Sequence, residues 1–150
     1  MTIETPFGPI LAAVNAEGAL TALKFSDGPG EDNGSANPAI ARQLTEYLAG
    51  ERKSFDLPMA PAGTDFQKRV WAELVRIPYG STMSYAELAR RVGSEGAARA
   101  VGRANATNPI AIVVPCHRVI GADGSLTGYA YGVELKRALL DLESGTRPLA

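Results

Sequence analysis

The chain has 150 residues, 45% hydrophobic and 21% charged, with a formal net charge of −1, which fits one average domain or two small lobes and excludes both a large multidomain machine and wholesale disorder. The charge is uneven: residues 1–63 carry 4 Lys and Arg against 8 Asp and Glu, whereas residues 64–150 carry 11 against 8, so the second half is the one suited to face a polyanion. No run approaches the roughly 18 apolar residues of a membrane helix, and Met1 to Ile10 lacks a basic-then-apolar leader, so a cytoplasmic protein with no membrane partner is expected.

In chain order, Ile10 to Val14 and Leu20 to Phe25 read as two strands joined by a turn at Asn15-Ala16-Glu17-Gly18, a small hairpin. Asp27 to Ser35, rich in Gly, Asp, Asn and Pro, reads as a surface loop. Asn37 followed by Pro38 marks a helix start, and Ile40, Leu44, Tyr47 and Leu48 recur at helical spacing up to Gly50. Pro58 to Gly63 reads as a linker, and a lobe boundary is expected there, where the charge balance changes.

Thr64 and Gln67 form a capping-box pattern before Phe66, Val70, Trp71, Leu74 and Val75, and Pro78 sets the end of that helix. Ser84 and Glu87 repeat the pattern before Tyr85, Leu88, Ala89 and Val92, closed by Gly93. A third helix is expected over Ala97 to Ala106, and two short helices separated by Gly93-Ser94-Glu95-Gly96 outline a helix-turn-helix. Ile110 to Val114 reads as a buried extended segment, and Val133, Leu135, Ala138, Leu139 and Leu142 mark a last helix.

Small residues at Ala97, Ala98, Ala100, Gly102 and Ala104 let the third helix approach a narrow surface, and one long cation, Arg99, projects from among them. A minor groove about 6 Å wide suits such a helix, although tight packing on a neighbouring helix has the same composition. Arg90, Arg91, Arg99, Arg103 and Arg118, opposed between positions 90 and 118 only by Glu95, predict a local basic face.

Pro115-Cys116-His117-Arg118-Val119 places the only thiol and the only imidazole side by side. One Cys and one His cannot build an intramolecular disulfide or a Cys/His zinc site, so no metal is expected. A free thiol with a pKa near 8.5 needs a neighbouring base or positive field to react at neutral pH, and His117 and Arg118 stand ready to supply both. In an arbitrary pair the commoner outcome is a packed thiol and a satisfied core imidazole. Adjacent side chains point apart, so a water would have to bridge them, and Glu143, after Leu139, Leu140 and Leu142, is the candidate partner for the imidazole.

Phe66-Gln67-Lys68-Arg69-Val70-Trp71, Ile77-Pro78-Tyr79-Gly80, Ser84-Tyr85, Ala98-Arg99-Ala100-Val101, Asn108-Pro109, Pro115-Cys116-His117-Arg118-Val119, Gly128-Tyr129 and Lys136 to Glu143 occur in an order that resembles the O6-alkylguanine-DNA alkyltransferases. The resemblance covers nearly all of residues 64–150. It implies an α+β fold, with a small ribonuclease-H-like α/β lobe at 1–63 and a mostly helical DNA-binding and alkyl-acceptor domain with a helix-turn-helix at 64–150. It further implies a single-turnover repair reaction without a cofactor, carried out by a monomer on the minor groove of double-stranded DNA containing O6-alkylguanine. In that scheme Arg99 takes the place of an extruded guanine and Cys116 accepts its alkyl group. His117, acting through water and held by Glu143, resembles the base, Tyr85 the group that hydrogen-bonds the leaving guanine at N3, and Asn108 the asparagine joining the helix-turn-helix to the active-site segment. Val119, Tyr129 and Ala130 would line the guanine pocket, while Gln67, Ala86, Ser94 and Ala122 would approach the DNA backbone. Lys136 would support a thiolate, and Arg118 would be a structural ion-pair member.

The chain departs from the family at Tyr131, where some members have glycine, which implies a tighter pocket rim. Zinc, found in some relatives, is excluded by the residue count. Three other classes compete for the same residues. A lesion binder without transfer replaces the cysteine, often with tryptophan, and Cys116 argues against it; a cysteine hydrolase using Cys116, His117 and Glu143 would be indifferent to DNA. A plain helix-turn-helix regulator would leave the Cys-His pair unexplained.

Overall fold

The computed structural model describes residues 2–26, 37–94, 96–126 and 128–145. The stretch Asp27 to Ser35 read above as a loop lies outside them. Over the described residues the chain forms two compact units, one from within Met1–Ala62 together with Pro109–Val113, the other from within Gly63–Asn108 and Val114–Arg147. The fold is α+β.

The first unit carries an antiparallel sheet of three strands, β1 (Thr2–Thr5), β2 (Gly8–Val14) and β3 (Leu20–Phe25), in that order. The expected hairpin is there, with Ile10 opposite Phe25 and Ala12 opposite Leu23, but a further strand precedes it. Thr5 Oγ1 donates to Gly8 O at 2.6 Å and closes a turn that needs Gly8 at φ +99°. The short strand β1 escapes a periodicity reading because only Ile3 is buried in it. Helix α1 (Pro38–Leu48) starts where Asn37 Oδ1 accepts from Ala39 N at 3.1 Å, and buries Ile40, Leu44, Tyr47 and Leu48.

The linker and the apolar run before the cysteine both serve this sheet. Leu20 N donates to Pro58 O at 2.7 Å, and Ala60 N to Leu20 O at 2.9 Å. Leu23 N donates to Pro109 O at 2.8 Å, and Ala111 N to Leu23 O at 2.9 Å. Two short segments thereby cover the outer edge of β3. The segment Ile110–Val114 is buried as expected but is not extended: only Ile110 bridges to β3, and the chain then turns, with Ile112 at φ +71°. A β-branched residue in that region is strained.

In the second unit, α2 (Asp65–Val75) has the full capping box, with Thr64 Oγ1 accepting from Gln67 N and Gln67 Oε1 from Thr64 N. A two-residue parallel pair follows, β4 (Met83–Ser84) with β5 (Val119–Ile120). Ser84 caps α3 (Tyr85–Arg91), but Glu87 does not complete the box, because its carboxylate is taken by Arg90 and Arg91. Helix α4 (Ala98–Ala106) packs on α2 and α3 in the helix-turn-helix arrangement. Trp71 Nε1 donates to Ala104 O at 2.8 Å and pins it. Cys116–Arg118 form a single 3₁₀ turn, and α5 (Val133–Ser144) ends at Gly145, φ +75°. Val133, read as part of its apolar stripe, is exposed. No helix among the described residues is long and apolar enough to cross a membrane.

Gly63 is a close-approach glycine. A Cβ built there would lie 2.6 Å from the Trp71 ring and 2.9 Å from Gln67 Oε1, both held in place by their own hydrogen bonds. Gly63→Ala is expected to cost about 1–3 kcal/mol in urea unfolding through overpacking, and an unchanged midpoint would remove this constraint.

Candidate active site

Cys116, His117 and Arg118 are all buried, in a turn held between α5 and the end of α2. Glu143 reaches them from the last turn of α5, where its own exposure is 5%. His117 Nε2 lies 2.8 Å from Glu143 Oε2, and Arg118 forms a two-pronged pair with the same carboxylate through Nε to Oε1 at 2.7 Å and Nη2 to Oε2 at 2.9 Å. Arg118 Nη1 donates to Ile77 O at 2.6 Å. Arg118 therefore belongs to the interior, and the basic face read from the sequence loses it. Arg90 and Arg91, exposed but paired with Glu87, carry less free charge than the sequence suggested. Arg99 and Arg103 remain exposed on α4.

Burial opposes the charge on Glu143, yet hydrogen bonds from His117 and Arg118 outweigh it and hold the carboxyl pKa at about 2. An ionised carboxylate only accepts, so His117 Nε2 carries the proton and Nδ1 keeps its lone pair. Burial also lowers the His117 pKa, against the pull of Glu143, so the imidazole rests neutral. Its Nδ1 is buried without a hydrogen-bond partner.

The thiol does not rest as a thiolate. Burial pushes the Cys116 pKa up, opposed by the Asn108 side chain and the Lys136 charge. The positive field expected from His117 and Arg118 is absent for a physical reason: one ring is neutral, and the guanidinium is spent on Glu143. Lys136 is the cation that faces the sulfur instead. It is fully buried, donates from Nζ to Val119 O at 2.5 Å, and lies 6.0 Å from the Tyr85 ring centroid.

The remaining expected residues divide into two sets. Asn108 is buried and donates from Nδ2 to Val114 O at 2.8 Å, besides its bond with the thiol. Tyr85, half-buried, extends to Gly128, where φ is +72° and an added Cβ would lie 3.1 Å from the tyrosine hydroxyl. Burial, first of all, raises the pKa of Tyr85, Tyr129 and Tyr131, so these three phenols remain protonated. Tyr129 has a buried, unpartnered hydroxyl and meets Tyr131 edge-on at 5.6 Å, and Val119 is fully buried. Ala130 is exposed. Ala86 and Ala122 are exposed, whereas Ser94 is half-buried, its N–H on Ala89 O at 2.9 Å within the helix-turn-helix turn. Gln67 spends its carbonyl on the α2 cap and donates from Nε2 to Thr107 Oγ1 at 3.1 Å.

Sequence reasoning missed Asn105, which lies at 2% exposure with Nδ2 3.4 Å from Cys116 O. The available signal was its position three residues before Asn108, which puts both amides on one side of the chain as α4 ends. Among the described residues no cluster of three or more His, Cys, Asp and Glu is placed to hold a metal ion.

Fold and site define a helix-turn-helix protein with a buried cysteine followed by a buried His-Glu pair in the same unit. Residues 65–145 match the family profile of the 6-O-methylguanine DNA methyltransferase DNA binding domain, and residues 1–61 that of its ribonuclease-like domain. The Methylated-DNA--protein-cysteine methyltransferase of Methanosarcina acetivorans is 51% identical over 148 residues, covering 93% of this chain and 94% of that protein. Its namesake from Mycobacterium tuberculosis is 50% identical over 155 residues, covering 98% and 93%. A crystal structure of Mycobacterium tuberculosis OGT in complex with DNA superposes with a TM-score of 0.88 at 49% identity, covering 98% of this chain and 93% of that one. The chain belongs to the 6-O-methylguanine DNA methyltransferase family.

The shared carboxylate makes stability pH-dependent. Glu143 binds its proton less readily folded than unfolded, so its contribution of about 3 kcal/mol is present above pH 4.5 and lost as pH falls through about 2. His117, lowered from 6.5, adds a loss in the same direction that begins at higher pH. Glu143→Gln leaves Arg118 buried without a counter-charge and is expected to cost about 3–5 kcal/mol in urea unfolding and to flatten the acid limb between pH 4.5 and 2. A variant as stable and as acid-sensitive as the parent would show that this carboxylate does not organise the site.

Proposed function

We propose that this protein repairs DNA directly and once per molecule, moving the alkyl group from O6 of guanine to Cys116 as a methylated-DNA–protein-cysteine S-methyltransferase. The observation that carries the reading is the buried His117–Glu143 pair directly after Cys116, with the imidazole Nδ1 unpartnered, in the same unit as the helix-turn-helix of a chain half identical to named methyltransferases. The sulfur attacks the sp³ carbon on O6, an S–C bond forms as the C–O bond breaks, and the bonding pair leaves with the guanine. The thiol proton passes to His117 Nδ1, through a water because adjacent side chains diverge, and Glu143 stabilises the resulting imidazolium. Tyr85 donates to N3 of the leaving base. The proton that sulfur loses balances the one that guanine regains, so no cofactor enters.

Residues 64–150 serve as the DNA-binding and alkyl-acceptor domain, and α4 lies in the minor groove. Its small residues permit close approach, and its N-cap residue, Ala97, makes no side-chain cap bond, so its N-terminus suits a phosphate. Arg99, exposed in the first turn, is a cation where the helix dipole disfavours one, a cost repaid when it fills the gap left by the extruded guanine. Gln67, Ala86, Ser94 and Ala122 approach the backbone around it. Val119, Tyr129, Ala130 and Tyr131 line the guanine pocket, and Asn108 joins the helix-turn-helix to the cysteine turn. One copy holds every group that the proposed reaction requires, so a monomer suffices.

After exposure to duplex containing O6-methylguanine, the intact protein is expected to gain the mass of one methyl group on Cys116, with one transfer per molecule. Cys116→Ala is expected to bind the same duplex without gaining mass. Binding with unchanged mass in the parent would make it a lesion binder, and repeated turnover without DNA would make it a hydrolase. Tyr131 narrows the pocket rim, so O6-benzylguanine is expected to react more slowly than O6-methylguanine. Tyr131→Gly should narrow that ratio about tenfold, equivalent to ~1.4 kcal/mol. An unaltered ratio would remove Tyr131 from the rim.

A further inference from the structure

Asn105 is an expensive residue with no assigned use. It lies in the last turn of α4 at 2% exposure, where an apolar side chain would pack without penalty. Its Oδ1 is buried with no hydrogen-bond partner, and its Nδ2 reaches Cys116 O at 3.4 Å, long for an N–H···O bond. Natural interiors seldom retain a half-satisfied amide without a functional reason.

The place of that contact supplies the reason. The Cys116 main chain is held at each end: its N–H donates to Val114 O at 2.8 Å, and its carbonyl accepts from the Val119 N–H that closes the 3₁₀ turn. Asn108 holds Val114 O from one side. Asn105 donates to the carbonyl of the nucleophile itself. Arg99 stands six residues earlier on the same helix, about 9 Å along its axis. A rigid rod thus carries the exposed arginine near one end and the tether to the nucleophile's main chain near the other.

We propose that Asn105 is a positioning residue for alkyl transfer, fixing the Cys116 main chain to α4 so that the helix seated on DNA sets the sulfur in line with the carbon it attacks. This rests on the repair reading above. The amide does not touch substrate; it acts through the cysteine carbonyl. Misplacement of a reacting atom by about 1 Å costs on the order of a hundredfold in rate, so loosening this tether should slow the chemical step while leaving the DNA-facing surface of α4 intact.

The test is Asn105→Leu, which keeps the shape, removes the donor and also removes the unpaired oxygen. Single-turnover transfer from an O6-methylguanine duplex is measured over a range of DNA concentrations, together with melting temperature. The expected result is a rate constant at saturating DNA at least tenfold below the parent, half-saturation within twofold, and a melting temperature equal to or above it. A parental rate constant, or a loss confined to half-saturation, would overturn the proposal. Should Asn105→Leu fail to fold, Asn105→Ala is read in the same way on its folded fraction, and a parental rate constant there overturns the proposal equally. A parent protein that gains no methyl group would instead refute the repair reading, and with it this extension.

Discussion

The Glu143 carboxylate is the constraint on which the site depends. It is almost wholly buried and serves two neighbours, accepting from His117 on one oxygen and from Arg118 on both. Burying a charge is costly unless it is paired and fully hydrogen-bonded, and Arg118 satisfies both conditions. With Arg118 present, the carboxylate stays ionised next to a neutral imidazole, which fixes the proton on Nε2 and turns the lone pair of Nδ1 away from Glu143. Had Arg118 faced solvent, Glu143 would compete between burial and protonation, and the tautomer of His117 would no longer be determined.

The same burial explains why the sulfur rests protonated. A dry site raises the thiol pKa, so the nucleophile is made only when a proton has somewhere to go. That arrangement suits a protein that reacts once: a standing thiolate would meet oxidants and stray electrophiles before it met a lesion. In the proposed reaction the buried Lys136 beside Val119 and Tyr85 would supply a charge that grows in value as negative charge develops on sulfur, without forcing ionisation beforehand.

Much of this was legible in the sequence because its signals were local. Asn37-Pro38, Thr64 with Gln67, and Ser84 each mark a helix start through bonds spanning two or three residues, and all three caps form. The Cys-His pair and the carboxylate at position 143 were visible through the ordered motifs of a family. What escaped depends on partners distant in the chain. Strand β1 has too little buried surface to show a period of two. The apolar run at 110–114 looked like a strand because apolar runs carry no dihedral information, and only the structure reveals Ile112 in the left-handed region. Arg118 counts toward a basic face by composition, and only the family resemblance placed it in an ion pair, because its partner Glu143 lies 25 positions away. Asn105 offered only its position three residues before Asn108, since its partner is a main-chain carbonyl rather than another side chain.

The geometry between the groups comes from a very small element. Two residues of β4 pair in parallel with two of β5, Met83 opposite Val119 and Ser84 opposite Ile120. Tyr85 is the next residue after β4, and Cys116 lies three before β5, so this ladder sets the register of phenol against thiol. A slip by one residue would reverse every side chain on the strand and turn Tyr85 away. Such a short ladder is weak by itself. It holds because each flank is fixed by something stronger: Ser84 caps α3 on one side, and on the other Arg118 ties the turn preceding β5 to Ile77 and Glu143. The ion pair that sets the histidine tautomer therefore also anchors the strand that aligns the tyrosine, so in the proposed reaction proton transfer at sulfur and hydrogen bonding at the base would draw on one buried carboxylate.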